Sequence, residues 1–410
     1  MTWLFLFISL TASTFAGDSS LEADVERYLA ETDPLRAMRH VESGLTRFES
    51  PSSRSAMHVR GRMLMDWSFQ RSEQFVDVGT VFFRQLRLGI DGHIFERTIY
   101  SLEISFTKGG DVGLQDVFVG LRDLGVFGTF QVGHQRRPFS LDGMTSIVQH
   151  MFMERAASTR AFQLGRDTGL RFHNSSRDRR LAWTVGVFKS ADSSGDASQS
   201  DGESVAVRVS GLPWRDLARD LRLHVGASVS FARPTGSMAQ FRTRPGPNDG
   251  PRYLDTGSFP ADSVFQASIA SALLLGSIGM QLEGFVARAE GDSTSATFWG
   301  AYVQFGWWVT GEAHAFNDLA QVPGRVRPLH DFHAGDLGGG ALLLALRADF
   351  IDLTDGVIVG GEMFSLTVGL TWKVNPFVLA KLNLVYADIE NGAEGSGELY
   401  YLMVRFQYDF

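Results

Sequence analysis

The sequence predicts an all-β fold: a closed antiparallel transmembrane β-barrel of about 16 strands with a short N-terminal helical extension. Three observations carry that prediction. Apolar and polar residues alternate with a period of two over stretches longer than the strands of soluble sheets, which average about five or six residues. Beyond the N-terminus the chain has no apolar run of the roughly 18 residues that a spanning helix needs. The chain also ends on an alternating strand whose last residue is Phe410.

Composition agrees with one greasy and one wet face. The 410 residues are 12% aromatic with 44 Gly and 12 Pro, rich in strand and turn formers, yet mean hydropathy is only -0.04. The absence of cysteine excludes a disulfide framework, a thiol nucleophile and a Cys-based zinc site. Residues 2–15 form an uncharged apolar run, and Thr14-Phe15-Ala16 offers small residues for cleavage near Ala16, so 1–16 reads as a signal peptide. Residues 17–55 read as a periplasmic N-terminal extension, helical where Leu21, Val25, Tyr28 and Leu29 recur before Pro34. Residues 56–410 form the barrel domain.

The first strand places Met57, Val59, Gly61, Met63, Met65, Trp67 and Phe69 on one face. His58, Arg60, Arg62, Leu64, Asp66, Ser68 and Gln70 lie on the other. At about 3.3 Å per residue a tilted strand of that length crosses a thin bilayer. Leu86, Leu88 and Ile90 alternate with Gln85, Arg87 and Asp91, and Tyr100, Leu102, Ile104 and Phe106 with Ser101, Glu103 and Ser105. Asp91-Gly92 is the expected tight turn between those two strands. Thirteen further strands are expected, near 112–122, 127–136, 166–173, 180–190, 203–211, 220–232, 263–274, 277–289, 296–311, 340–352, 362–373, 377–388 and 398–410. The last puts Tyr400, Leu402, Val404, Phe406, Tyr408 and Phe410 toward lipid and Tyr401, Met403, Arg405, Gln407 and Asp409 inward.

Several stretches resemble the phosphate-selective porin O and P family over roughly residues 57–410. They are Phe83-Arg84-Gln85-Leu86-Arg87-Leu88-Gly89, Leu114-Gln115-Asp116-Val117-Phe118-Val119-Gly120, Val132-Gly133-His134-Gln135-Arg136-Arg137-Pro138-Phe139-Ser140-Leu141, and Phe152-Met153-Glu154-Arg155. Gly165-Arg166-Asp167-Thr168-Gly169, Val309-Thr310-Gly311-Glu312, Leu370-Thr371-Trp372-Lys373-Val374-Asn375-Pro376 and Arg405-Phe406-Gln407-Tyr408-Asp409-Phe410 continue it. Gln85 stands where the family pattern often has a second Arg. The resemblance implies a trimeric porin of the bacterial outer membrane for passive diffusion of small anions, phosphate or polyphosphate among them. It also implies that residues 138–165 fold inward and narrow the pore. The terminal strand resembles the signal read by the barrel-assembly machinery. The alternatives are a general non-selective porin and, in a different class, an outer-membrane barrel adhesin or enzyme. No Gly-x-Ser-x-Gly elbow or triad spacing supports an enzyme. The expected surroundings are outer-membrane lipid and small anions, with no nucleic acid and no cofactor.

Strand parity names the groups facing water inside such a barrel. Basic inward candidates are Arg60, Arg62, Arg87, Arg97, Arg171, Arg208, Arg222, Arg347, Lys381 and Arg405; acidic ones are Asp66, Asp91, Glu103, Glu283, Asp349 and Asp409. The wall is thus modestly positive although the chain carries -8, because much acid lies in expected loops. The candidate constriction carries Arg136, Arg137, Glu154, Arg155, Arg160 and Arg166, among Met144, Ile147, Met151, Phe152 and Met153 that can pack it to the wall. Arg forks match phosphate oxygens and stay charged; the competing expectation is that they pair with lumen carboxylates and stiffen the barrel. Residues 233–262, with Arg242, Arg244 and Arg252, read as a basic extracellular funnel or a disordered surface loop. Residues 312–339 fall on the periplasmic side, where connections are normally short, so they are expected to fold inward unless the strand count is wrong there. Their His330, Asp331, His333 and Asp336 are read as loop polarity without a metal.

Overall fold

The computed structural model describes residues 46–49, 54–108, 111–333 and 339–410. Among them, sixteen antiparallel strands close on themselves. In chain order they are β1 (Ala56–Arg71), β2 (Val78–Ile94), β3 (Thr98–Lys108), β4 (Asp111–Leu121), β5 (Thr129–Arg136), β6 (Arg166–Ser175), β7 (Leu181–Lys189) and β8 (Glu203–Asp216). Then come β9 (Leu221–Arg233), β10 (Ser263–Leu275), β11 (Ile278–Glu290), β12 (Ser295–Trp308), β13 (Ala341–Asp355), β14 (Ile358–Lys373), β15 (Val378–Gly392) and β16 (Gly395–Asp409). Each strand pairs with the next, and β16 returns to β1 with Arg62 opposite Asp409 and Arg71 opposite Tyr400. Closure leaves no sheet edge in hydrocarbon, where an unpaired backbone group is costly. No helix among the described residues is long and apolar enough to cross a membrane.

The alternation expected for β16 is present. Tyr400, Leu402, Phe406 and Tyr408 are exposed on the outer wall, whereas Tyr401, Met403, Arg405, Gln407 and Asp409 are buried inside. At the seam, the Phe410 N–H donates to the Gly61 carbonyl at 2.9 Å, and the Gly61 N–H donates to the Phe410 main-chain oxygen at 3.0 Å. A Cβ on Gly61 would stand 2.5 Å from the Phe410 ring, so the glycine makes room for the terminal aromatic. A short leading strand, Thr46–Glu49, pairs with Ala56–Val59 and prolongs the line of β16 past Phe410. That ladder replaces helix at the end of the expected extension. The expected signal segment 1–16 and the residues before Thr46 expected to be helical lie outside the described residues, as does Asp336.

One expected turn is corrected. Asp91-Gly92 lies inside β2, and the chain reverses at Phe95-Glu96-Arg97, where Phe95 and Glu96 take φ of 49° and 67°. Arg97 is consequently an exposed residue of that turn rather than a lumen residue.

Three connections fold into the barrel. Residues 137–165 carry α1 (Leu141–Met144) and α2 (Ala157–Phe162). Residues 234–262 lie over them: Phe241 packs on Phe162 of α2 with centroids 5.9 Å apart and on Phe298 of β12 at 5.2 Å. Small inward residues Ala287, Ala289 and Ala296 leave room for those rings. The 234–262 connection is therefore a packed lid rather than a loose loop, while Arg242 and Arg252 remain exposed on it and Arg244 and Arg252 border open space. From the opposite rim, the connection after β12 also turns inward over its residues 312–326, the alternative that kept the strand count intact. Asp318 there pairs with Arg215 at 2.9 Å and Arg222 at 3.0 Å.

Candidate functional site: an arginine-lined passage

The lumen bounded by β10–β16 is filled by the inward connections, and open space remains along β1–β6. On the side of the 234–262 lid a cavity of about 640 Å³ is lined by Arg84, Arg87, Arg244 and Arg252. Toward the rim holding both barrel ends, one of about 560 Å³ is lined by Arg60, Arg62, Arg122, Arg136, Arg166 and Arg171. A third, of about 240 Å³, contains Arg60, Arg62, Arg87 and Arg325. Arg62 and Arg87 are directly opposite in the β1–β2 register, so the arginines form a continuous row between the two larger spaces.

Three carboxylates interrupt the row, the first being Asp91, 3.0 Å from Arg60. Glu103 meets Arg87 at 2.8 Å, Arg62 at 3.1 Å and Arg60 at 3.5 Å. Asp116 receives a two-pronged contact from Arg166 at 2.8 and 3.1 Å. Each carboxylate satisfies donors of its neighbours, yet the guanidiniums outnumber them. A guanidinium keeps its charge in such surroundings and presents a planar fork. Arg136 also donates to the Gly143 carbonyl at 2.6 Å, and Arg171 to Gln131 at 2.9 Å.

Other predicted residues hold the inward segments. Arg405 grips Asp66 with two bonds of 2.6 Å and reaches Glu154 at 2.9 Å. Arg347 donates to the Glu154 carbonyl at 3.0 Å and lies over the Phe152 ring at 4.5 Å. Lys381 donates to the Phe152 carbonyl at 3.1 Å. Arg208 donates to the Gln321 carbonyl at 2.7 Å, and Arg222 pairs with Asp318. These five stand behind loop backbone, which occupies the space their parity assigned to water. Two of the acidic candidates do likewise: Glu283 accepts the Leu141 and Asp142 amides at 2.7 and 3.1 Å, and Asp349 the Ala157 and Ser158 amides. Both lie at the starts of the helical turns, where backbone N–H groups lack helical partners.

Within 137–165 the expected division is only half kept. Ile147, Phe152 and Met153 are buried, Ile147 against Leu64 of the wall, while Met144 borders the 560 Å³ space. Glu154, Arg155 and Arg160 do not project into the passage. Arg155 donates to the Thr145 carbonyl at 2.8 Å, Arg160 to the Gly246 carbonyl at 2.8 Å, and Arg137 pairs with Asp167 at 3.1 Å. Burial alone would raise the Glu154 carboxyl, but Arg84 and Arg405 hold it well below the usual carboxylate range.

Arg84 is the residue that parity misses. The register slips between Leu64 and Met65 because β2 carries one extra residue there, and that bulge turns Arg84 inward to Glu154 at 2.6 and 3.1 Å. A usable signal existed: straight alternation would leave a guanidinium facing lipid, which is costly. Arg122, Arg244 and Arg252 come from a turn and the lid, where no parity rule applies.

A family model described as phosphate-selective porin O and P matches residues 57–410. The chain belongs to the phosphate-selective porin O and P family. As a member of it the chain is an outer-membrane porin. An uncharacterized protein of Caulobacter vibrioides is 28% identical over 319 residues, 75% of this chain and 62% of that protein, so the porin spans less than two thirds of this relative. In fold the porin is similar to the anion-selective porin from Comamonas acidovorans, with TM-score 0.56 and 11% identity over 87% of this chain and 100% of that one. It is also similar to OmpT of Vibrio cholerae in its trimer form, with 0.55 and 11% over 87% and 99%. For the channel DcaP of Acinetobacter baumannii the values are 0.52 and 10% over 88% and 99%. At such identities the likeness concerns the fold alone.

Proposed function

We propose that this porin passes small anions, phosphate among them, along the arginine row of β1–β6. The observation carrying the proposal is the succession Arg84, Arg87, Arg62, Arg136 and Arg166 between two wide spaces, with Glu103 and Asp116 as the intervening carboxylates. Conduction needs binding favourable enough to enter and weak enough to leave. Carboxylates already satisfying part of each guanidinium temper the hold on a passing anion. We propose further that the porin works as a homotrimer and that its terminal strand is read by the barrel-assembly machinery. The short strands β3–β7, of 8 to 11 residues against 13 to 17 elsewhere, support a protected interface there.

The test is conductance in planar bilayers. Zero-current potentials under a salt gradient should favour anions, and phosphate should compete with the chloride current. Cation selectivity would sink the proposal. Anion selectivity without competition would leave a general anion channel.

A further inference from the structure

We infer that the cavity between the 137–165 loop and the inward residues 314–326 binds a small anion, held by Lys373 and Lys381 apart from the arginine row. The cavity is about 50 Å³, and no arginine lines it. Both lysines stand on the inward wall, Lys381 opposite Thr371 and Lys373 opposite Leu379 in the β14–β15 register. They are 2% and 7% exposed. Among the described residues neither has a carboxylate within 4.0 Å.

Their hydrogen bonds are incomplete. An ammonium has three donors. Lys373 donates to the Val326 carbonyl at 3.0 Å, and Lys381 to the His150 and Phe152 carbonyls at 2.5 and 3.1 Å. Trp308, 3% exposed, borders the same space, and its indole N–H has no partner. The other titratable groups lining the cavity are Asp142, His150 and His314. Asp142 faces His150 at 3.4 Å, and His314 lies 3.2 Å from the Gly306 carbonyl. Beyond the lining, Asp409 and Asp66 also act on the two lysines, but Arg325 and Arg405 already pair with them, so every carboxylate near the two buried lysines has a basic neighbour of its own.

Burying unpaired charge is expensive, and carbonyl oxygens offset only part of the cost. A small monovalent anion would supply the missing counter-charge and accept the remaining donors. At roughly 10–15 Å³ per water-sized occupant the cavity takes three or four heavy atoms, the size range from chloride to acetate. Leu274, Met280, Leu343 and Leu379 form the apolar remainder, suited to a methyl group. Such an anion would join the wall, the 137–165 loop through His150, and the inward residues 314–326 through His314.

Crystals of the full chain grown in bromide test the site directly. An anomalous peak is expected within hydrogen-bonding reach of both Nζ atoms, and its absence in the wild type overturns the assignment. In detergent at constant ionic strength, the unfolding midpoint should rise saturably when gluconate, too large to enter, is replaced by chloride or acetate. The larger rise names the preferred anion class. Lys373→Met keeps most of the stem and should abolish both peak and rise while leaving the zero-current potential unchanged. If the variant retains them, the anion acts elsewhere and the inference fails. Cation-favouring potentials with peak and rise intact would overturn the permeation proposal and leave this site standing.

Discussion

Glu154 shows how a single side chain can organise a pore without facing it. Its carboxylate receives Arg84 from the β2 bulge and Arg405 from β16, and Arg405 in turn holds Asp66 of β1. Removing one partner of a buried ion pair typically costs about 3–5 kcal/mol because the other charge stays buried. Glu154→Gln is therefore expected to destabilise the porin by about that amount and to broaden single-channel current levels as the loop loosens. Denaturant midpoints and bilayer recordings check it, and unchanged noise would show that the loop is held elsewhere. His150 of the same loop predicts a pH effect. Burial pushes its imidazole down to about 3, against the opposing pull of Asp142. Between that value and the ordinary value of about 6.5 the unfolded chain binds a proton that the folded chain does not, so stability falls as pH falls through this window. Unfolding midpoints between pH 6.5 and 5, above the range where carboxylates titrate, should drop less in His150→Gln than in wild type.

At the scale of elements, the barrel wall is shaped to receive its inward loops. Gly369 of β14 is one receiving point, since a Cβ there would stand 3.0 Å from the Phe152 ring. Gly369→Val is expected to cost about 1–3 kcal/mol, the usual range for overpacking, and to change unitary conductance by shifting the loop. The inward 312–326 segment is secured differently, by Asp318 between Arg215 and Arg222 and by Arg325 on Asp409. Asp318→Ala should free the segment, raise conductance and expose residues near 316–323 to protease, both read against wild type. Equal conductance would mean that the segment does not narrow the path. Strand number, direction and facing were readable along the chain because alternation is local. The bulge at Arg84 was not, because a one-residue insertion is visible only against the register of the neighbouring strand.

Across the whole molecule the lumen is asymmetric. Residues such as Ala287, Phe298, Ile351 and Met403 make the interior of β10–β16 a packed core, while arginines line the open side along β1–β6. The short strands β3–β7 lie largely behind that open side, and lower walls are economical only where they are shielded from lipid. Unheated samples on detergent gels should therefore migrate near three times the monomer mass and collapse to monomer on boiling. Migration as monomer before heating would contradict the trimer.

The sequence by itself determined a closed sixteen-strand barrel, its lipid and lumen faces and its family, because period-two alternation and even closure follow from backbone pairing in hydrocarbon. It also placed inside the barrel Arg60, Arg62, Arg87, Arg136, Arg166 and Arg171, which the structure brings together around open space. Only the tertiary structure decided that Arg208, Arg222, Arg347, Lys381 and Arg405 hold the inward loops instead, Arg222 through the Asp318 side chain and the others through backbone carbonyls. Parity states which way a side chain points; what it meets there depends on loops arriving from distant parts of the chain, whose packing no local pattern records.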